Sequence, residues 1–211
     1  MASAHASRRA ATGSNVWEDA VSRTADEPGK EETPPMERYQ ERILEKGHLL
    51  LFGEIDEDMI RQLIEQLLYL TSGKKRPVPV TMWINSTGGL LQPTFALADF
   101  VSRLKVPIHT VGMGTVESAA ALILMSGSKG KRALMRNCSL MIHEYSWSNS
   151  GSFTEMSSRM KEVQHTIKKQ LAFMSRHSGK TAEELKAIVR HEETWLTPEE
   201  AVKWGIIDKV L

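Results

Sequence analysis

A single cysteine, Cys138, stands in the 211 residues, which excludes an internal disulfide framework. It reads as a small buried hydrophobe beside the strand that ends at His143, rather than as a nucleophile. Charge of one sign is also lacking. Lys and Arg number 27 against 26 Asp and Glu, a net charge of +1, so there is no electrostatic case for nucleic acid or for an anionic membrane. No uninterrupted apolar run reaches the ~18 residues of a membrane span. No phosphate-cradling P-loop is present, and Lys129-Gly130-Lys131-Arg132 reads as a solvated turn. His165 and His177 lie twelve residues apart, and His109 and His191 have no Cys or His partners at ligand spacing. Neither a metal nor a cofactor is therefore expected.

Apolar residues are scarce up to about position 35, where only Val16, Trp17 and Val21 could be buried. Such a stretch cannot offset its ordering entropy, so 1–35 is expected to be a disordered or partner-ordered tail. Trp17 is either an anchor for a partner or a solvated aromatic. Arg8 and Arg9 are followed by no apolar segment, so no secretory signal is expected and a cytoplasmic location is the default. With 41% apolar residues overall, 36–211 is long enough for one domain with a real core.

The pattern beyond the tail alternates. An amphipathic helix is expected over 36–46, then a strand over 48–52 ended by Gly53. A helix capped by Asp56 carries Ile60, Leu63, Ile64, Leu67 and Leu70 at helical spacing. A turn at 71–76 with Pro77 and Pro79 leads to a strand at 80–84, a helix through Phe95 and Val101, a strand at 107–111, a helix begun by Ser118 and a strand at 140–142. This alternation indicates an α/β fold with parallel strands. A polar loop then precedes a long helix over 153–177, with Met156, Met160, Val163, Ile167, Leu171 and Met174 on one stripe. With little obvious core left to cover, that stripe suggests pairing with another chain; packing on its own domain is the alternative. Thr181 to Glu184 form a capping box, Trp195 opens a last short helix, and Gly205 precedes a strand at 206–210.

The chain is organised around 111–143, VGMGTVESAAALILMSGSKGKRALMRNCSLMIH. Gly112 and Gly114 suit a tight turn, Ser118 follows, and an apolar strand delivers His143. A serine at such a turn has an exposed hydroxyl and unpaired neighbouring N–H groups that suit an oxyanion. It can equally be the N-cap of a core helix. Its company is Ile84-Asn85-Ser86-Thr87-Gly88-Gly89 upstream and His143-Glu144 downstream. With these the chain resembles the Clp protease proteolytic subunit (ClpP) family. That family's INSPGG appears as INSTGG, its GQAASMGA as GTVESAAA and its MIHQP as MIHEY. GSKGKR and the ending TPEEAVKWGIIDKV extend the resemblance from about residue 43 to 211.

The resemblance implies a ClpP/crotonase-like spiral of ββα units with a protruding handle helix (about 146–178). It implies a serine endopeptidase with Ser118 as nucleophile, His143 as base, and the N–H groups of Gly89 and Ala119 as the oxyanion hole. The family's aspartate falls on Glu193, one methylene longer; Asp208 matches a non-catalytic family aspartate. It further implies self-association into stacked rings around a chamber, polypeptide substrates, and a separate AAA+ unfoldase that supplies any ATP dependence. Two departures matter. Thr194 replaces an arginine that pairs across the ring interface, and Glu117 puts a carboxylate beside the nucleophile where the family has a small residue. A catalytically silent ring subunit and a virus-type maturation protease are the alternatives. An acyl-CoA enzyme of the crotonase type would not need Ser118 and His143 in this register.

Overall fold

Val80–Gly89 (β2) alternates buried and open positions along its length, with Val80, Met82, Ile84 and Ser86 turned into the core. That period of two is what a strand covered by helices on one face produces. In the computed structural model, which describes residues 36–72, 79–148, 150–189 and 193–211, β2 lies between two parallel partners, His48–Ile55 (β1) and Ile108–Glu117 (β3). The predicted tail with Trp17, most of the 71–76 turn with Pro77, and His191 lie outside the described residues. The chain divides at Arg38/Tyr39 into two units, the larger being Tyr39–Leu211.

The described elements run Met36–Glu45 (α1), β1, Glu57–Thr71 (α2), β2, Leu91–Arg103 (α3), β3, Ala119–Met125 (α4), Arg132–Leu134 (β4), Ser139–Ile142 (β5), Phe153–Ser178 (α5), Ala182–Val189 (α6), Thr194–Leu196 (β6), Pro198–Lys203 (α7) and Lys209–Val210 (β7). Asp56 caps α2 as expected, its carboxylate accepting from the Met59 N–H at 2.7 Å. The sheet order is β1-β2-β3-β4-β7, with β5 beside the far half of β3 and β6 beside β5. Every described pairing is parallel except β5 with β6. The α/β class and its handle-bearing spiral stand as the sequence implied. The short strands β4 and β6 were not legible: three residues are too few for a period, and β6 fell where a helix start was expected.

The glycines act differently from the tight turn expected of them. The first strand runs through Gly53 (φ 93°), where the register shifts by a bulge, instead of ending there. Likewise β3 runs through both Gly112 and Gly114. A side chain at Gly112 would meet Leu134 Cδ2 at 2.4 Å and Val116 Cγ2 at 2.7 Å, so this glycine serves close packing. Gly114, at φ 66°, marks where β3 leaves β4 and takes up β5: residues 110–112 pair with β4 and 115–117 with β5. Apolar throughout and wholly buried, α4 packs against β2, β3 and α3.

The handle stripe divides between the two readings. Of the stripe, Val163, Leu171 and Met174 are buried in the chain's own core and Ile167 packs against it, whereas Met160 is 45% exposed; Phe153, at the helix start and outside that stripe, is 89% exposed. Ser152 and Glu155 start this helix with a capping box, and Gly179 (φ 77°) ends it.

The solvated turn expected at 129–132 holds only in part. Lys129 and Gly130 are exposed, but Arg132 is 4% exposed and donates Nε to Asp208 Oδ2 (3.0 Å) and Nη2 to Oδ1 (2.7 Å). Its Nη1 donates to the His177 carbonyl at 2.7 Å, so one guanidinium ties β4, the β7 approach and the end of α5. The fork geometry of arginine makes this possible and a lysine would not reproduce it.

Candidate active site

The sharp turn from β3 into α4 carries Ser118, whose φ of 53° and ψ of −120° are unusual for a residue with a Cβ. It is the one non-glycine with positive φ among the described residues, a conformation that costs on the order of 1–3 kcal/mol and persists only where the surroundings enforce it. The enforcement is visible. The Ser118 N–H donates to the Met141 carbonyl at 2.9 Å, extending the β3–β5 ladder by one residue. Gly88 sits so close that a Cβ there would meet Ser118 Cβ and the Glu117 carbonyl at 2.8 Å each. Ser118 does occupy the N-cap position of α4, but its hydroxyl makes no cap hydrogen bond. Its Oγ lies instead 2.6 Å from His143 Nε2.

The first residue beyond β5 is His143, and the pairing of Glu117 with Met141 brings the ends of the two strands side by side. For the Ser118 hydroxyl to donate to Nε2, the imidazole must be neutral with its proton on Nδ1. Ala119 is the first residue of α4, so its N–H has no acceptor within the helix by position. Gly89 (φ 149°) presses against the end of β1, where a Cβ would stand 2.2 Å from the Ile55 carbonyl oxygen. Gly89, Leu91, Ser118, Ala119, His143, Tyr145, Ser146 and Gln170 line a notch of about 50 Å³. That is room for one or two waters, so a peptide must lie across it. A larger cavity, about 560 Å³, lies elsewhere, around the Arg132–Asp208 pair, and has no part in this arrangement.

The match to the Clp protease family model spans residues 30–211. The chain belongs to that family. It is 30% identical over 185 residues to the "ATP-dependent Clp protease proteolytic subunit 2" of Treponema denticola, an alignment covering 88% of this chain and 92% of that protein. A Clp-type proteolytic subunit, hence a peptidase, is the assignment these similarities support.

Within this member of the family, four of the five expected site residues converge: Ser118, His143, Gly89 and Ala119 line one notch. The fifth is beside them but turned away. Strand β6 pairs Thr194 with Ile142, so Glu193 and His143 follow as neighbours one step beyond the ladder. Its carboxylate is exposed and accepts from Trp195 Nε1 at 3.3 Å, not from the imidazole. Residues two apart on a strand share a face, and the indole N–H offers a competing donor. Glu117 is settled differently: the Thr115 hydroxyl, two residues back on the same face of β3, donates to its carboxylate. Cys138 is buried and its thiol is pushed up to about 11 by burial, far from the range of a reactive thiolate. Among the described residues no three His, Cys, Asp or Glu side chains gather as a metal site, and no helix is long and apolar enough to cross a membrane.

Sequence reasoning missed Gln170. It lies on α5 at 6% exposure and reaches the segment that follows His143. Its only signal was a polar residue next to Leu171 in the apolar stripe.

Proposed function

We propose that the chain is a serine-type endopeptidase of the ClpP kind, acting on unfolded polypeptides. The observation that carries this reading is the 2.6 Å contact between Ser118 Oγ and His143 Nε2 on a strained strand-to-helix turn. Ser118 Oγ attacks the scissile carbonyl carbon while His143 Nε2 takes its proton. The oxyanion accepts from the Ala119 and Gly89 N–H groups. His143 then gives the proton to the leaving amine, and water, deprotonated by the same imidazole, hydrolyses the acyl ester. Glu193 swings from Trp195 to Nδ1, holds the tautomer and stabilises the imidazolium. Fluorophosphonate treatment of the assembled protein tests the reading by mass spectrometry. An adduct on the Ser118 peptide is expected, and unmodified assembled protein would overturn it in favour of the silent-subunit reading, which the outward Glu193 favours.

The role of Glu193 has its own expected result. Glu193→Gln should lower peptide turnover by roughly 10² to 10⁴, the upper figure being the cost of the comparable change in another serine protease. Full activity in this variant would mean that the site works as a Ser–His dyad.

In the same reading, subunits stack as rings through the handle, enclose the sites, and receive substrate from an AAA+ unfoldase in the cytoplasm. Phe153 and Met160 are the exposed apolar side chains that support it. Phe153→Asp with Met160→Asp should halve the particle mass by light scattering without lowering the melting temperature, because neither contributes to the chain's own core. An unchanged particle would refute handle-mediated stacking.

A further inference from the structure

We infer that Gln170 is a positioning residue of this peptidase site, an inference that rests on the roles given above to Ser118 and His143. Strand β5 ends at Ile142, so the backbone of His143 lies beyond the ladder that fixes its predecessors. Gln170 takes over there. Its Nε2 donates to the His143 carbonyl at 2.9 Å, and its Oε1 accepts from the Tyr145 N–H at 2.9 Å. The assignment of its oxygen and nitrogen is forced, because one partner is a carbonyl and the other an N–H. Between the two contacts, the Glu144 N–H donates to the Val189 carbonyl at 2.9 Å. Three consecutive residues are thus fixed from α5 and from the end of α6.

Two consequences meet at the notch. The carbonyl that Gln170 holds belongs to the residue whose imidazole must reach Ser118. Tyr145 and Ser146, which follow, form the wall of the notch together with Gln170 itself. One buried amide therefore sets both the base and the surface against which a peptide must lie. Burying an amide is unfavourable unless both ends are bonded, and here both are. The sequence gives a reason for an amide at this place. Where the motif MIHQP carries a proline, MIHEY carries Tyr145, which brings an N–H that proline lacks. Gln170 Oε1 satisfies that N–H, and its Nε2 contributes a second contact, to the backbone carbonyl of His143.

Gln170→Leu keeps the volume and removes both contacts. The experiment measures peptide hydrolysis by the assembled particle together with the fraction of subunits whose Ser118 is titrated by a fluorophosphonate burst, so that turnover is expressed per competent site. A positioning role predicts that turnover per titrated site falls roughly 10- to 100-fold, the scale of a misplacement of about 1 Å, with KM altered less. A merely structural role would lower the titrated fraction and the melting temperature while each remaining site turned over normally, and that result overturns the proposal. Gln170→Glu covers the case in which Gln170→Leu does not assemble. Protonated, its carboxyl can keep both contacts; ionised, it accepts from the Tyr145 N–H but repels the His143 carbonyl, so turnover per site relative to wild type should fall as the pH is raised, and a pH profile identical to that of the wild type overturns the proposal. Failure of wild-type protein to label at Ser118 would instead remove the peptidase reading itself.

Discussion

Ser118→Ala should abolish peptide hydrolysis, a loss on the order of 10⁶ by comparison with removal of a triad serine elsewhere. The particle should stay intact. The hydroxyl contributes no cap to α4, so nothing in the fold depends on it. Its one described hydrogen bond is to His143 Nε2. Deleting it leaves the strained backbone in place, because the Met141 carbonyl and the close approach of Gly88 hold that turn without the side chain. Melting temperature and light scattering should therefore match the wild type within error. Hydrolysis that survives in Ser118→Ala would show that the activity resides elsewhere or in a contaminant, and would refute the nucleophile assignment.

Arg132→Met is expected to be the most damaging single change to stability. The Arg132 and Asp208 side chains are 5% and 18% exposed and joined at 2.7 Å. Removing one partner leaves a buried charge uncompensated, which destabilises by roughly 3–5 kcal/mol. For a domain of this size that is a melting temperature lower by roughly 10 °C. Burial alone would raise the Asp208 carboxyl pKa, but the hydrogen bonds and charge of Arg132 together hold it below the usual aspartate range. A carboxyl depressed in the folded state contributes stability that is fully present above its unfolded value and lost as the pH falls through its folded one. The wild type should therefore lose part of its stability in acid below the ordinary aspartate range, and Arg132→Met should lack that component. Equal melting temperatures for the two proteins at neutral pH would refute the account.

What could be read in advance followed from periodicity and from local chemistry. The apolar spacing of α2, the Asp56 cap and the buried run of α4 depend on neighbours within a few residues, and they appear where expected. Ser118, His143, Gly89 and Ala119 were placed by motif, and the folded chain brings them to one notch. Contacts set by three-dimensional approach were not legible. The Arg132 guanidinium looked solvated because its partner lies 76 residues away. Gly112 looked like a turn because the side chains that exclude a Cβ come from β4 and from farther along β3. Gln170 was hidden within an apolar stripe because its two partners lie 25 and 27 residues back along the chain.

The four-residue strand β5 lies between a parallel neighbour and an antiparallel one, and His143 follows directly on its last residue. Side chains on a strand alternate faces, so a slip of one residue in this pairing would turn the imidazole of His143 away from Ser118. In the proposed mechanism, hydrolysis would thereby depend on correct pairing of the sheet. On that reading, a subunit that errs at β5 would be an inert protein and not a misdirected protease, without any regulatory domain.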